Sequence, residues 1–169
     1  MQQLSSLVAA VRSWIERNER AGTIVLNVLI AALTWGMSEI VLWPARGGQA
    51  VTPLWPAVGL SVALAYIWNY RLLPGVVFGT LALEAGINSV PLAVLLALAQ
   101  VVQPIIDARI MRALQFDPKL ERVRDSLILC LVAGPTGAFA AAVIASALNV
   151  AFGARQLETL AYDFSLWWL

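Results

Sequence analysis

Residues 21–43 read AGTIVLNVLIAALTWGMSEIVLW, 23 positions with a single ionisable side chain, Glu39. As a helix this stretch rises about 34 Å at 1.5 Å per residue, enough to cross the hydrocarbon core of a bilayer. Its ten Leu, Ile and Val residues each favour insertion by roughly 0.3–0.6 kcal/mol, which offsets the roughly 3 kcal/mol that Glu39 would cost at the membrane centre. Glu39 stands near the end of the stretch, where its cost is smaller. The segment therefore predicts a transmembrane helix and fixes the solvent in which the rest of the chain is read.

Upstream, Leu4, Leu7, Val8, Val11, Trp14 and Ile15 recur at steps of three and four, with Arg12, Glu16, Arg17, Glu19 and Arg20 on the opposite side. This pattern predicts an amphipathic helix over residues 1–20, lying in the membrane surface or packed on another protein domain. Downstream, prolines and the Gly47-Gly48 pair make residues 44–56 a loop. Apolar spans are then expected at 54–70, 72–88, 90–112 and 126–152, with a charged connection over Gln115 to Asp125. Gly134, Pro135 and Gly137 predict a kink in the last of these. Residues 157–169 end on Leu166, Trp167, Trp168 and Leu169 and read as the start of an incomplete sixth span. The expected fold class is thus all-α: a polytopic transmembrane bundle of about five spans.

The composition agrees, with 60% hydrophobic and 12% charged residues against about 25% charged in an ordinary soluble domain. A net charge of +1 provides no basic field for nucleic acid. Histidine is absent, which removes the commonest general base and metal ligand. No Ser/His, Cys/His or metal-ligand spacing appears, so neither enzyme chemistry, nor a cofactor, nor a metal is expected. Cys130, the only cysteine, cannot form an intramolecular disulfide. Of the 11 Lys and Arg residues, nine fall on the side that holds the amino terminus, Arg71 and the 115–125 connection, and Arg46 and Arg155 fall on the other. That bias predicts a cytoplasmic amino terminus.

Ionisable and amide groups inside spans are the candidate ligand-binding residues. Glu39 and Glu84 fall in the outer halves of two spans, where they would either line an outward-facing pocket or sit at the lipid boundary paired with Arg46 or with helix polar groups. Gln100, Gln103 and Asp107 share one face of the fourth span, and Pro104 frees a backbone carbonyl beside them. This stripe must face the bundle, either to bind a small ligand or to hydrogen-bond neighbouring helices. Trp55, held between Pro53 and Pro56, is the aromatic expected to cap the pocket, whereas Trp43, Trp167 and Trp168 suit headgroup anchoring. Gly75 with Gly79, and Gly137 with Ala141 and Ala145, repeat every fourth position and predict faces of close helix packing. The expected partners are the lipid bilayer, a small ligand, and a second copy or a larger membrane complex.

The segment Pro53-Leu54-Trp55-Pro56-Ala57-Val58-Gly59 resembles the P-x-W-P-x-x-G signature that opens the second span of the first of the MASE families, membrane-associated sensor domains of bacterial signalling proteins. The resemblance continues through Arg71-Leu72-Leu73-Pro74-Gly75, the basic end of the fourth span, Leu120 to Asp125, and Trp167-Trp168. Ala57 stands where the family often has a second proline, and the chain stops where the family continues into further spans. The resemblance implies a sensory input module of the inner membrane, truncated before its last spans. Its output domain, a histidine kinase or a diguanylate cyclase, would place it in two-component or cyclic-di-GMP signalling. Two other readings of the residues remain open. The prolines at 104 and 135 suit the broken helices of a transporter component, and the small-residue faces suit an accessory subunit of a larger complex.

Overall fold

The computed structural model describes residues 19–46, 56–156, 158 and 164, and every regular element among them is helical. Helix α1 spans Glu19–Arg46, α2 Pro56–Ile67, α3 Leu73–Glu84, α4 Val90–Ala99, α5 Val102–Ala113 and α6 Val123–Leu127. A π-helical turn, Ile128–Ala133, joins α6 to α7, Gly134–Ala151. Among the described residues three stretches are long and apolar enough to cross a membrane: Glu19–Trp43, Val90–Ala113 and Val123–Ala151. Helices α2 and α3, at 12 residues each, rise only about 18 Å at 1.5 Å per residue. The all-helical membrane architecture expected from hydropathy is the observed one.

Helix α1 begins at Glu19, so the end of the expected 1–20 amphipathic segment is already part of the first long helix, and the rest of that segment lies outside the described residues. The third helix gives way after Glu84 to a turn over 85–88, and the second stops short of residue 70 at the turn that separates the two. Asn69 and Tyr70 there have φ of 49° and 71°, left-handed values that no helix can carry, and Pro74 then occupies the first turn of α3, where its missing N–H costs nothing. The expected 90–112 span turns at Gln100 and Val101, since Pro104 has no N–H for the Gln100 carbonyl. The expected kink around Pro135 takes the form of the π-turn just before it. Thr136 Oγ1 donates to the Val132 carbonyl at 2.6 Å, occupying an acceptor in the proline-disturbed turn.

The bundle is organised around two pairings of parallel helices. Helix α1 packs chiefly on α3. A Cβ on Gly75 would stand 2.5 Å from the Asn27 carbonyl oxygen, and one on Gly79 2.5 Å from that of Ala31 and 2.7 Å from Thr34 Cβ. Lipid offers no hydrophobic drive between helices, so such close backbone approach supplies the dispersion contact that holds them. Helix α2 packs on α5, where Val62, Met111, Phe116, Ile128 and Ala133 form one buried cluster. A second cluster, Ile30, Leu64, Leu73, Val76 and Ala108 with their neighbours, joins α1, α2, α3 and α5. Helix α7 covers both α5 and α4, the latter through Leu92, Leu96 and Ala145. Ile24, Val28, Leu33, Ile40 and Trp43 of α1 remain exposed, the apolar exterior that a bilayer solvates.

Candidate functional site

The polar stripe of the fourth span is turned toward α7. Asp107 is 1% exposed, and its carboxyl accepts hydrogen bonds from the Gln103 side chain and from the Gly137 backbone N–H. A Cβ on Gly137 would overlap Asp107 Oδ1 and stand 3.0 Å from Gln103 Cγ, so glycine is what admits the carboxyl here. Oδ1 nevertheless has no hydrogen-bond partner. Gln100 and Gln103 are half-buried, at the turn and in the first turn of α5. A buried carboxyl thus sits where a proline-interrupted span meets a helix entered through a π-turn, a local geometry frequent at functional sites.

The end of the bundle that carries Glu19, Arg71 and Arg112 is tied by side chains that cap helices other than their own. Asn27 of α1 serves α3: its Oδ1 accepts the Gly75 N–H at 2.7 Å and its Nδ2 donates to the Arg71 carbonyl at 3.2 Å. The residue before α3, Leu72, makes no side-chain cap of its own, so Asn27 satisfies a donor the helix start leaves open. Arg112 of α5 serves the carboxyl end of α2, donating to the Ala65 and Tyr66 carbonyls at 2.6 and 3.0 Å and to Tyr70 Oη at 2.8 Å. Its guanidinium also lies 5.0 Å from the Tyr70 ring centre and 5.7 Å from that of Tyr66, within cation–π range. Tyr66 Oη donates to the Phe116 carbonyl at 2.6 Å, and Arg124 donates to the Leu114 carbonyl at 2.7 Å. Asp125, fully buried, accepts the Asp117 N–H at 3.2 Å. Arg71 pairs with Glu19 at 2.8 Å on the exposed rim.

Neither Glu39 nor Glu84 joins Asp107. Glu84 ends α3 at the opposite end of the bundle, where Asn88 Nδ2 donates to its Oε2 at 2.7 Å, whereas Asp107 lies only six residues, about 9 Å, from the basic end of α5. The parallel register of α1 and α3 brings Glu39, which is half-buried, to a similar depth as Glu84. The acids therefore fall into two groups at different depths. Trp55 lies outside the described residues, as does residues 157–169 apart from Glu158 and Phe164; Phe164 stacks edge-on against Phe139, ring centres 5.5 Å apart. Gly75, Gly79, Gly137 and Ala145 are buried and Ala141 is half-buried.

Sequence reasoning passed over Asn27, Tyr66, Tyr70, Arg112 and Asp125 as site residues. A lone amide within an apolar span was a signal for Asn27; nothing local marks the others, whose partners lie 8 to 50 residues away.

The sequence profile of the MASE1 family matches residues 21–169. The chain belongs to the MASE1 family. MASE1 domains are membrane-associated sensor domains, and the apolar helices described above suit a module of that kind. No curated protein and no solved structure matches the chain. Within this MASE1 domain the matched region contains all of α2 through α7 and all but the first two residues of α1.

Proposed function

We propose that this chain is the sensory input module of a bacterial signalling protein, seated in the inner membrane with its basic end in the cytoplasm. It registers a small ligand or the state of the bilayer and passes a helix displacement to a cytoplasmic output, a histidine kinase or a diguanylate cyclase. One observation carries this reading. Asp107, buried and incompletely satisfied, stands between a span broken at Gln100–Val101 and one loosened by a π-turn. A polar group held in the interior at such a cost is retained for function or for a partner. Around it the exposed apolar helix faces serve the lipid and a second copy of the chain.

The test uses the full-length protein in its native membrane. Gln103→Leu removes the side chain that holds the Asp107 carboxyl and should change kinase or cyclase output several-fold at unchanged membrane abundance. Gln100→Leu, one turn away, should have the smaller effect. Wild-type output in both variants would overturn the reading, and solute flux into liposomes supported by the chain alone would replace it with transport.

A further inference from the structure

We propose that the connection between α5 and α6 carries a site for an anionic phospholipid, its phosphate held by Arg109 and Arg124 and an acyl chain laid along Val123, Leu127 and Leu131. The inference goes beyond the sensor reading and does not depend on it.

The connection joins two of the stretches that are long and apolar enough to cross a membrane, Val90–Ala113 and Val123–Ala151, so residues 114–122 lie at the membrane boundary. Over residues 109–125 four cations are exposed, Arg109, Lys119, Arg122 and Arg124, against one exposed acid, Glu121. The other two acids serve the backbone of the turn: Asp117 accepts the Lys119 N–H at 3.0 Å, and Asp125, fully buried, accepts the Asp117 N–H at 3.2 Å. Arg124 is positioned in advance. It donates to the Leu114 carbonyl just past α5 at 2.7 Å, which orients the guanidinium and leaves the fork's other donors to serve a second acceptor. A planar fork of this kind matches a pair of phosphate oxygens. Arg109 stands on α5 five residues before Leu114, about 7.5 Å of helix rise. An arginine at that depth keeps its stem among apolar groups and carries its charge outward to the headgroups.

Val123, Leu127 and Leu131 recur every fourth residue along α6 and the π-turn, so they share one face, and all three are exposed. This aliphatic file starts between Arg122 and Arg124 and runs toward the hydrocarbon core. A ligand with a phosphate at one end and hydrocarbon at the other meets both features, and basic groups at a membrane boundary select anionic headgroups. A soluble phosphate would leave the aliphatic file uncovered. An isologous second copy would set these four cations against the same four, a like-charge contact that costs affinity.

The experiment uses the whole chain in phosphatidylcholine vesicles doped with a nitroxide-labelled lipid, either phosphatidylglycerol or phosphatidylcholine. The reporter is a fluorophore on Cys130, the single cysteine, which is exposed beside Leu131. Labelled phosphatidylglycerol should quench it at a several-fold lower mole fraction than labelled phosphatidylcholine. A basic residue near an anionic surface contributes about fivefold in affinity, so Arg109→Gln and Arg124→Gln should each lower the preference by about that factor. Arg155→Gln, at the far end of α7, should leave it unchanged. Should Arg124→Gln unfold the connection, Arg109→Gln, at an exposed position, decides alone. Equal quenching by the two lipids, or a preference that survives Arg109→Gln, overturns the site. Relief of quenching by free glycerol phosphate overturns it in favour of a soluble anion, and a loss in Lys119→Gln as large as in Arg124→Gln overturns it in favour of the loop's overall charge.

Discussion

The contact between α1 and α3 makes a sharp prediction for Gly79→Ala. The added Cβ would stand 2.5 Å from the Ala31 carbonyl oxygen and 2.7 Å from Thr34 Cβ, about 1 Å inside the 3.5–4.0 Å optimum for nonbonded carbon contacts. Neither obstacle can step aside: one is backbone, and Thr34 is 1% exposed. The helices must separate instead, and overpacking of this kind costs about 1–3 kcal/mol. Alanine recovers about 0.5–1 kcal/mol of that through its better helix propensity. Gly36→Ala supplies the control, because a Cβ there meets nothing within 4 Å and only the propensity gain remains. The two variants should therefore move in opposite directions and differ by about 1–3 kcal/mol, read by circular dichroism during reversible unfolding in mixed micelles of mild and denaturing detergent. If Gly79→Ala proved as stable as Gly36→Ala, the close packing of α1 on α3 would be refuted.

Other substitutions probe the basic end. Asn27→Leu leaves the Gly75 N–H and the Arg71 carbonyl without their partner and should cost about 1–3 kcal/mol in the same unfolding assay. Arg112→Lys keeps the charge but cannot serve Tyr70, Ala65 and Tyr66 together; it should cost a similar amount and expose the 68–72 turn to protease. Arg71→Ala removes an ion pair whose side chains are 67% and 71% exposed, and the loss should stay within about 1 kcal/mol. In a Cys130→Ser background, Lys119→Cys should react with a membrane-impermeant thiol reagent only after the cells are opened; ready labelling of intact cells would reverse the orientation.

The sequence made the long apolar helices legible because hydropathy is a local property, summed over about twenty consecutive side chains. The same locality made the Gly75/Gly79 spacing visible, along with the prolines that interrupt two spans. Which helix each face meets is a tertiary matter. The identical four-residue period in Gly137, Ala141 and Ala145 gave no hint that Gly137 receives a carboxyl while Ala145 packs against Leu92 and Leu96. Glu84 was legible in part: pairing with a polar group of its own helix was one of the two roles its place in a span allowed, and its partner Asn88 stands four residues on. Arg112 counted in the sequence only as one basic residue of nine on its side, and its contacts reach 42 to 47 residues back.

The distribution of these contacts dictates where the bundle can yield. Three hydrogen bonds join Arg112 to the end of α2 and to the Tyr70 turn, and Tyr66 returns a fourth to Phe116 just beyond α5. At about 0.5–1.5 kcal/mol net each, rotating α5 against α2 would sacrifice several kcal/mol, a large part of the margin by which a domain is folded. The two helices therefore move together, and Asn27 couples the start of α3 to α1 in the same way. Compliance is left to places where the backbone ladder is already interrupted: the turn at Gln100 and Val101, and the π-turn at 128–133. Asp107 lies on the rigid side of the first joint and faces α7 just past the second. A change in its interaction with Gly137 would accordingly appear as a tilt of α5 and α2 as one body relative to α4 and α7, detectable as altered spin-label distances between α5 and α7 with those between α5 and α2 unchanged. Equal changes in both pairs would mean that the Arg112 contacts do not bind α2 to α5.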